Sequence, residues 1–98
     1  MDRIWTHAVW TVNPGREDEF IRAWDAMASD ALTAFETAGP AHLLRDRERQ
    51  NVFRSFGPWD SMETVEAFRA TIAPHLGSMQ ELLDGFEAFT LDEVSARG

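Results

Sequence analysis

The chain has 98 residues, a formal net charge of −8 and no cysteine. That length holds one domain, residues 1–98. The absent thiols exclude disulfides, thiolate catalysis and cysteine-bound zinc or iron–sulfur clusters, and the acidity disfavours a nucleic-acid partner, the more so because the arginines are scattered.

A hydrophobic fraction of 44%, with four Trp and seven Phe, argues for a packed core. No run of about 18 apolar residues occurs, so no membrane-crossing helix is expected. The start "MDRIWTHAVW" shows no basic leader before an apolar run and a small-residue cleavage site, and a cytoplasmic location is expected.

In chain order, Arg3 to Val12 is rich in Val, Ile, Thr and Trp, free of Gly and Pro, and reads as a strand. Ile4, Thr6, Ala8, Trp10 and Val12 fall on one face, and Arg3, Trp5, His7, Val9 and Thr11 on the other. Both faces carry apolar bulk, which predicts cover on both sides. "NPGREDEF" then starts a helix, with Asn13 or Gly15 as cap and Glu17, Asp18 and Glu19 at the favourable end of the dipole. The stripe Phe20, Ile21, Trp24, Met27, Ala28, Ala31, Leu32, Phe35 follows helical spacing and predicts an end near Ala38-Gly39-Pro40.

Ala41 to Arg45 and Asn51 to Phe56 read as two strands around the tip Asp46 to Gln50, whose alternating charges suit a solvated hairpin. Gly57-Pro58 is expected to end the third strand. Asp60 and Glu63 resemble a capping box for a second helix carrying Met62, Val65, Phe68 and Ile72. Pro74 predicts a kink or restart near Ala73. A shorter helical piece with His75, Leu76, Met79, Leu82 and Leu83 stops at Gly85, and Phe86 to Val94 reads as the last strand. The order β-α-β-β-α-β is the α+β, ferredoxin-like split arrangement, a four-stranded antiparallel sheet with both helices on one face. Trp5, Val9, Phe89 and Leu91 are candidates for the other, bare face, and a bare apolar face predicts a partner.

The combination Val12, Pro14-Gly15, Phe20, then Leu43-Leu44-Arg45-Asp46, then Trp59-Asp60-Ser61, Phe68 and His75 resembles the antibiotic biosynthesis monooxygenase family of the dimeric α+β barrel superfamily. The resemblance covers nearly the whole chain. It rests on the order and spacing of the pieces, since no single one is specific. It implies a homodimer through the sheet face and a pocket between sheet and second helix, lined by Trp59. Some members of the family oxidise polycyclic phenols to quinones with O2 and no cofactor, and others bind and degrade haem. The haem branch's Asn, Trp and His fall on Ala8, Trp59 and His75, a match at two of three. The quinone branch's Asn falls on Ser55, and its Tyr has no counterpart, as the chain has no Tyr.

Trp59 shares a strand face with Ser55 and Phe53 and reads either as a pocket wall or as a core tryptophan over the helix start. His75 is the candidate base, since an imidazole suits proton transfer near neutral pH, and the alternative is a surface histidine after Pro74. Ser55, Trp24, Phe20 and Phe68 are candidate substrate contacts, each also readable as ordinary strand or core. The three histidines are dispersed, so no metal site is expected. The reading is a cofactor-independent monooxygenase-like protein for a small aromatic or polycyclic substrate, with Trp59 and His75 as catalytic candidates. The alternatives are a non-catalytic module for a hydrophobic metabolite and a haem-binding relative.

Overall fold

A computed structural model describes residues 3–35 and 39–98. Strand β1 (Ile4–Val12) leads into helix α1 (Glu17–Ala34), strands β2 (His42–Arg45) and β3 (Val52–Trp59) follow, and helix α2 (Met62–Met79) passes through a 3-10 turn (Gln80–Leu82) into β4 (Leu83–Asp92). The strands form one antiparallel sheet in the order β2-β3-β1-β4, the expected split β-α-β-β-α-β topology, with both helices on one face.

Local details depart from the sequence reading in instructive ways. Neither Asn13 nor Gly15 caps α1. The Asn13 amide is drawn away to the Glu81 carbonyl at 3.0 Å, and Gly15, at φ 94°, turns the chain so that its N–H donates to Glu17 at 2.9 Å. A left-handed φ of that kind suits a residue without Cβ. The helix ends at Ala34, short of the expected boundary, because Phe35 adopts extended backbone; of that boundary, Ala38 lies outside the described residues.

Gly57-Pro58 does not end β3, which runs on to Trp59. β2 pairs only as far as Phe56, so beyond it β3 is an edge and the missing Pro58 N–H interrupts no ladder on that side. The cap of α2 is Ser61, not Asp60: its hydroxyl accepts the Thr64 N–H at 3.2 Å, while Asp60 accepts the Thr64 hydroxyl at 2.9 Å. α2 continues through Pro74 without a restart. Pro74 and Ala70 are both exposed, so the carbonyl that loses its partner faces water. Gly85, the expected helix stop, is already inside β4.

Directly opposite residues in an antiparallel ladder share a face. The helix-facing side of the sheet is therefore built in rows across β3, β1 and β4: Phe53–Trp10–Phe86, then Ser55–Ala8–Ala88, then Gly57–Thr6–Thr90, then Trp59–Ile4–Asp92. The first row is aromatic and packs with Phe20 of α1, ring centroids 5.3 Å from Trp10 and 5.0 Å from Phe53. Phe20, Phe53, Met79, Val12 and Val65 are the largest fully buried side chains and mark the core.

Candidate functional site

Two consecutive rows of that sheet face carry only small residues. Ser55, Ala8 and Ala88 form one; Gly57, Thr6 and Thr90 form the other. Helices packed over such a floor cannot descend to fill it, because aromatic residues stand on both sides: Phe53, Trp10 and Phe86 at one end and Trp59 at the other. The result is a cavity of about 340 Å³ between sheet, α1 and α2. Trp24, Met27, Ala28, Ala31 and Leu32 line it from α1, and Phe68, Arg69, Ile72 and Leu76 from α2. Its size and apolar wall are those of a small-ligand site.

Trp59 is the wall at one end. Its ring lies 4.5 Å from Phe68 and 5.8 Å, edge-on, from Phe35. Its indole N–H donates to the Thr6 hydroxyl at 2.9 Å. The Trp10 indole N–H donates to the Ser55 hydroxyl at 2.9 Å. Both buried donors are thereby satisfied from inside the wall, and the surface these two rings offer a ligand is carbon. A Cβ on Gly57 would meet the Thr6 hydroxyl, the Trp59 nitrogen and Ala41 at 3.5–3.8 Å, ordinary contact distances. The glycine thus leaves space that a side chain would take.

Of the residues singled out from the sequence, Trp59, Ser55, Trp24 and Phe68 come together around the cavity. Phe20 does not line it; it is wholly buried behind Trp10 and Phe53. His75 does not line it either: its Nε2 lies 2.8 Å from the Asp30 carboxylate, bridging the two helices, although its neighbours Ile72 and Leu76 are part of the wall. His7 belongs to the opposite sheet face, stacked between Phe56 and Phe89 with centroids 4.4 and 5.5 Å away. Haem ligation does not fit this arrangement, because the His75 ring is engaged by Asp30 outside the wall and Ala8 offers no polar group. Arg69 was not singled out from the sequence, although it stands four residues after Val65 and three before Ile72, beside the buried stripe of α2.

The model of one protein family, antibiotic biosynthesis monooxygenase, matches residues 4–90. The chain belongs to the antibiotic biosynthesis monooxygenase family. No curated protein matches its sequence. Solved structures match the fold closely. SnoaB from Streptomyces nogalater, a cofactor-independent oxygenase solved as a mutant, is 20% identical, with a TM-score of 0.82 over 100% of this chain and 96% of its own. PA3566 from Pseudomonas aeruginosa is 16% identical, with a TM-score of 0.82 over 97% of each chain. Rv0793 from Mycobacterium tuberculosis is 14% identical, with a TM-score of 0.84 over 98% of this chain and 99% of its own. At these identities the likeness is one of fold. Among the described residues of this antibiotic biosynthesis monooxygenase family member, no helix is long and apolar enough to cross a membrane.

Proposed function

We propose that this chain is a cofactor-independent monooxygenase, active as a homodimer, that takes a small aromatic or polycyclic phenol into the cavity beside Trp59. The observation that carries the reading is the cavity itself: about 340 Å³, walled by Trp59, Phe68 and Trp24, with the Trp10 and Trp59 indole donors already paired. Such a wall favours flat carbon surfaces through stacking and dispersion. The reaction asks little more of the protein. One phenol and one O2 give one quinone and one water: a ring C–H carbon gains an oxygen, and the second oxygen leaves as water. The substrate is the reductant, and its reactive form is the deprotonated one, so the protein must exclude water and accept a proton.

His75 is the acceptor in this proposal. Asp30, 2.8 Å from its Nε2, orients the ring, and Leu76 beside it places this turn of α2 against the cavity that His75 itself does not line. A second reading, a non-catalytic module for a hydrophobic metabolite, draws on the same geometry, since His75 does not line the cavity.

Oxygen uptake and quinone absorbance with a dihydroxyanthracene separate the two. Catalysis predicts equal consumption of O2 and substrate, at least a ~100-fold loss in His75→Ala, and loss of binding in Ala8→Leu, which fills the floor. Tight binding with no oxygen uptake would favour the binding module. Absence of binding in the wild type would overturn both.

A further inference from the structure

The cavity is not apolar throughout. One of its floor rows, Gly57–Thr6–Thr90, carries two hydroxyls, and each is tied to a group from elsewhere. In the middle of the row Thr6 accepts the Trp59 indole N–H at 2.9 Å. At the β4 end, the guanidinium of Arg69, reaching from α2, donates to the Thr90 hydroxyl. The main chains of α2 and β4 scarcely approach one another, so this bond spans an open side of the cavity. Arg69 lines that cavity, and its guanidinium has no carboxylate within 4.0 Å among the described residues.

The net charge is −8, and Arg69 is the arginine that lines this cavity. It uses one donor on a neutral hydroxyl, while a guanidinium has five donors in a fork suited to an oxyanion. Arg69 is exposed, but it stands beside Val65 and Ile72 on α2 and its side chain lines the open edge of the cavity.

We infer that Arg69 is a specificity residue, and that the ligand is an aromatic body bearing an acidic oxygen, a carboxylate or a phenolate, which the guanidinium and the Thr90 hydroxyl receive at the open side. The rings lie against Phe68 and Trp59, while the oxyanion replaces part of the hydration that Arg69 has in the empty site. This rests on the proposed use of the cavity as the substrate site. It adds to it the charge and the orientation of the substrate.

The test is fluorescence titration of the full chain with anthracene-2-carboxylate and its neutral partner 2-(hydroxymethyl)anthracene, which share one ring system. The carboxylate is expected to bind about tenfold more tightly, against the repulsion of the protein's net charge, as a charge-assisted hydrogen bond provides. Arg69→Gln should abolish that preference, the larger loss falling on the carboxylate. Arg69→Lys, which keeps the charge, should retain part of it. Arg69 and Thr90 are exposed, so these variants fold, and their circular dichroism should match the wild type. Equal affinity for the two probes in the wild type, or a preference that survives in Arg69→Gln, overturns the inference while leaving the cavity as a binding site. Failure of both probes to bind overturns the binding site and the inference together.

Discussion

Trp59 and Thr6 are diagonal neighbours across the β1–β3 ladder, two residues apart in register, and the indole N–H donates to the threonine hydroxyl at 2.9 Å. This bond fixes the ring plane that forms the end of the cavity. Thr6→Val keeps the side-chain shape and strands the buried donor, an expected cost of about 1–3 kcal/mol in chemical denaturation. Trp59→Phe in the Thr6→Val background removes the stranded donor, so the double variant should lose less than the sum of the two single changes. Strict additivity would show that the bond does not hold the ring.

Ser61 is the cap of α2, accepting the Thr64 N–H at 3.2 Å. Ser61→Ala should therefore destabilise by about 1 kcal/mol. Glu63→Ala, at the position expected to complete a capping box, should stay within ~0.5 kcal/mol of wild type, as an exposed surface change does. Thermal denaturation of the pair checks the assignment.

The hairpin tip carries an acid-sensitive element. The Asp46 carboxylate accepts backbone N–H groups from Glu48 at 2.8 Å and Arg49 at 3.1 Å, and these bonds, chiefly that from Glu48, hold its pKa below the ordinary aspartate value, with Arg49 and Arg54 adding to the effect. A depressed folded-state pKa contributes stability above the unfolded value, and that stability is lost as pH falls through the folded one. Carboxyl NMR titration should place the Asp46 midpoint below that of a free aspartate. The stability difference between wild type and Asp46→Ala should shrink toward zero in acid.

The sheet face away from the helices carries Trp5 opposite Leu91 and His7 opposite Phe89, with Phe89 and Leu91 both exposed. Covering this face with a second copy is the arrangement proposed above. Sedimentation equilibrium at micromolar concentration should give a dimer for the wild type and a monomer for Phe89→Glu/Leu91→Glu, with each monomer's circular dichroism unchanged. A monomeric wild type would remove the dimer from the proposal.

Element order and face assignment were legible because they rest on periodicity. Alternation along Arg3 to Val12 sorts Thr6, Ala8 and Trp10 from Trp5, His7 and Val9 as the structure does. Punctuation was less legible. Gly57-Pro58 reads as a stop only if the ladder on both sides is assumed, and the shortness of β2 is a tertiary fact. Pro74 reads as a break only if the orphaned carbonyl cannot reach water. Within the site, Trp59 announces itself by size, but its surroundings do not. The cavity arises from small residues lying side by side on three strands far apart in sequence, and no local pattern marks that. Arg69 was passed over because an arginine on a helix is ordinarily a solvated one, and its position between Val65 and Ile72 was the available signal.

The space beside Trp59 is carved from strand interiors, by the shortness of Ser55, Ala8, Ala88 and Gly57, and not from loops. Its dimensions can therefore drift by single point changes while the backbone stays where it is. Enlarging Ala88 narrows the end near Phe86, and enlarging Gly57 shortens the end near Trp59. A lineage built on this plan could exchange one guest for another in small evolutionary steps, with no insertion, deletion or refolding in between. Solved structures of 14–20% identity superimpose on nearly the whole chain, a divergence that such a scaffold would permit.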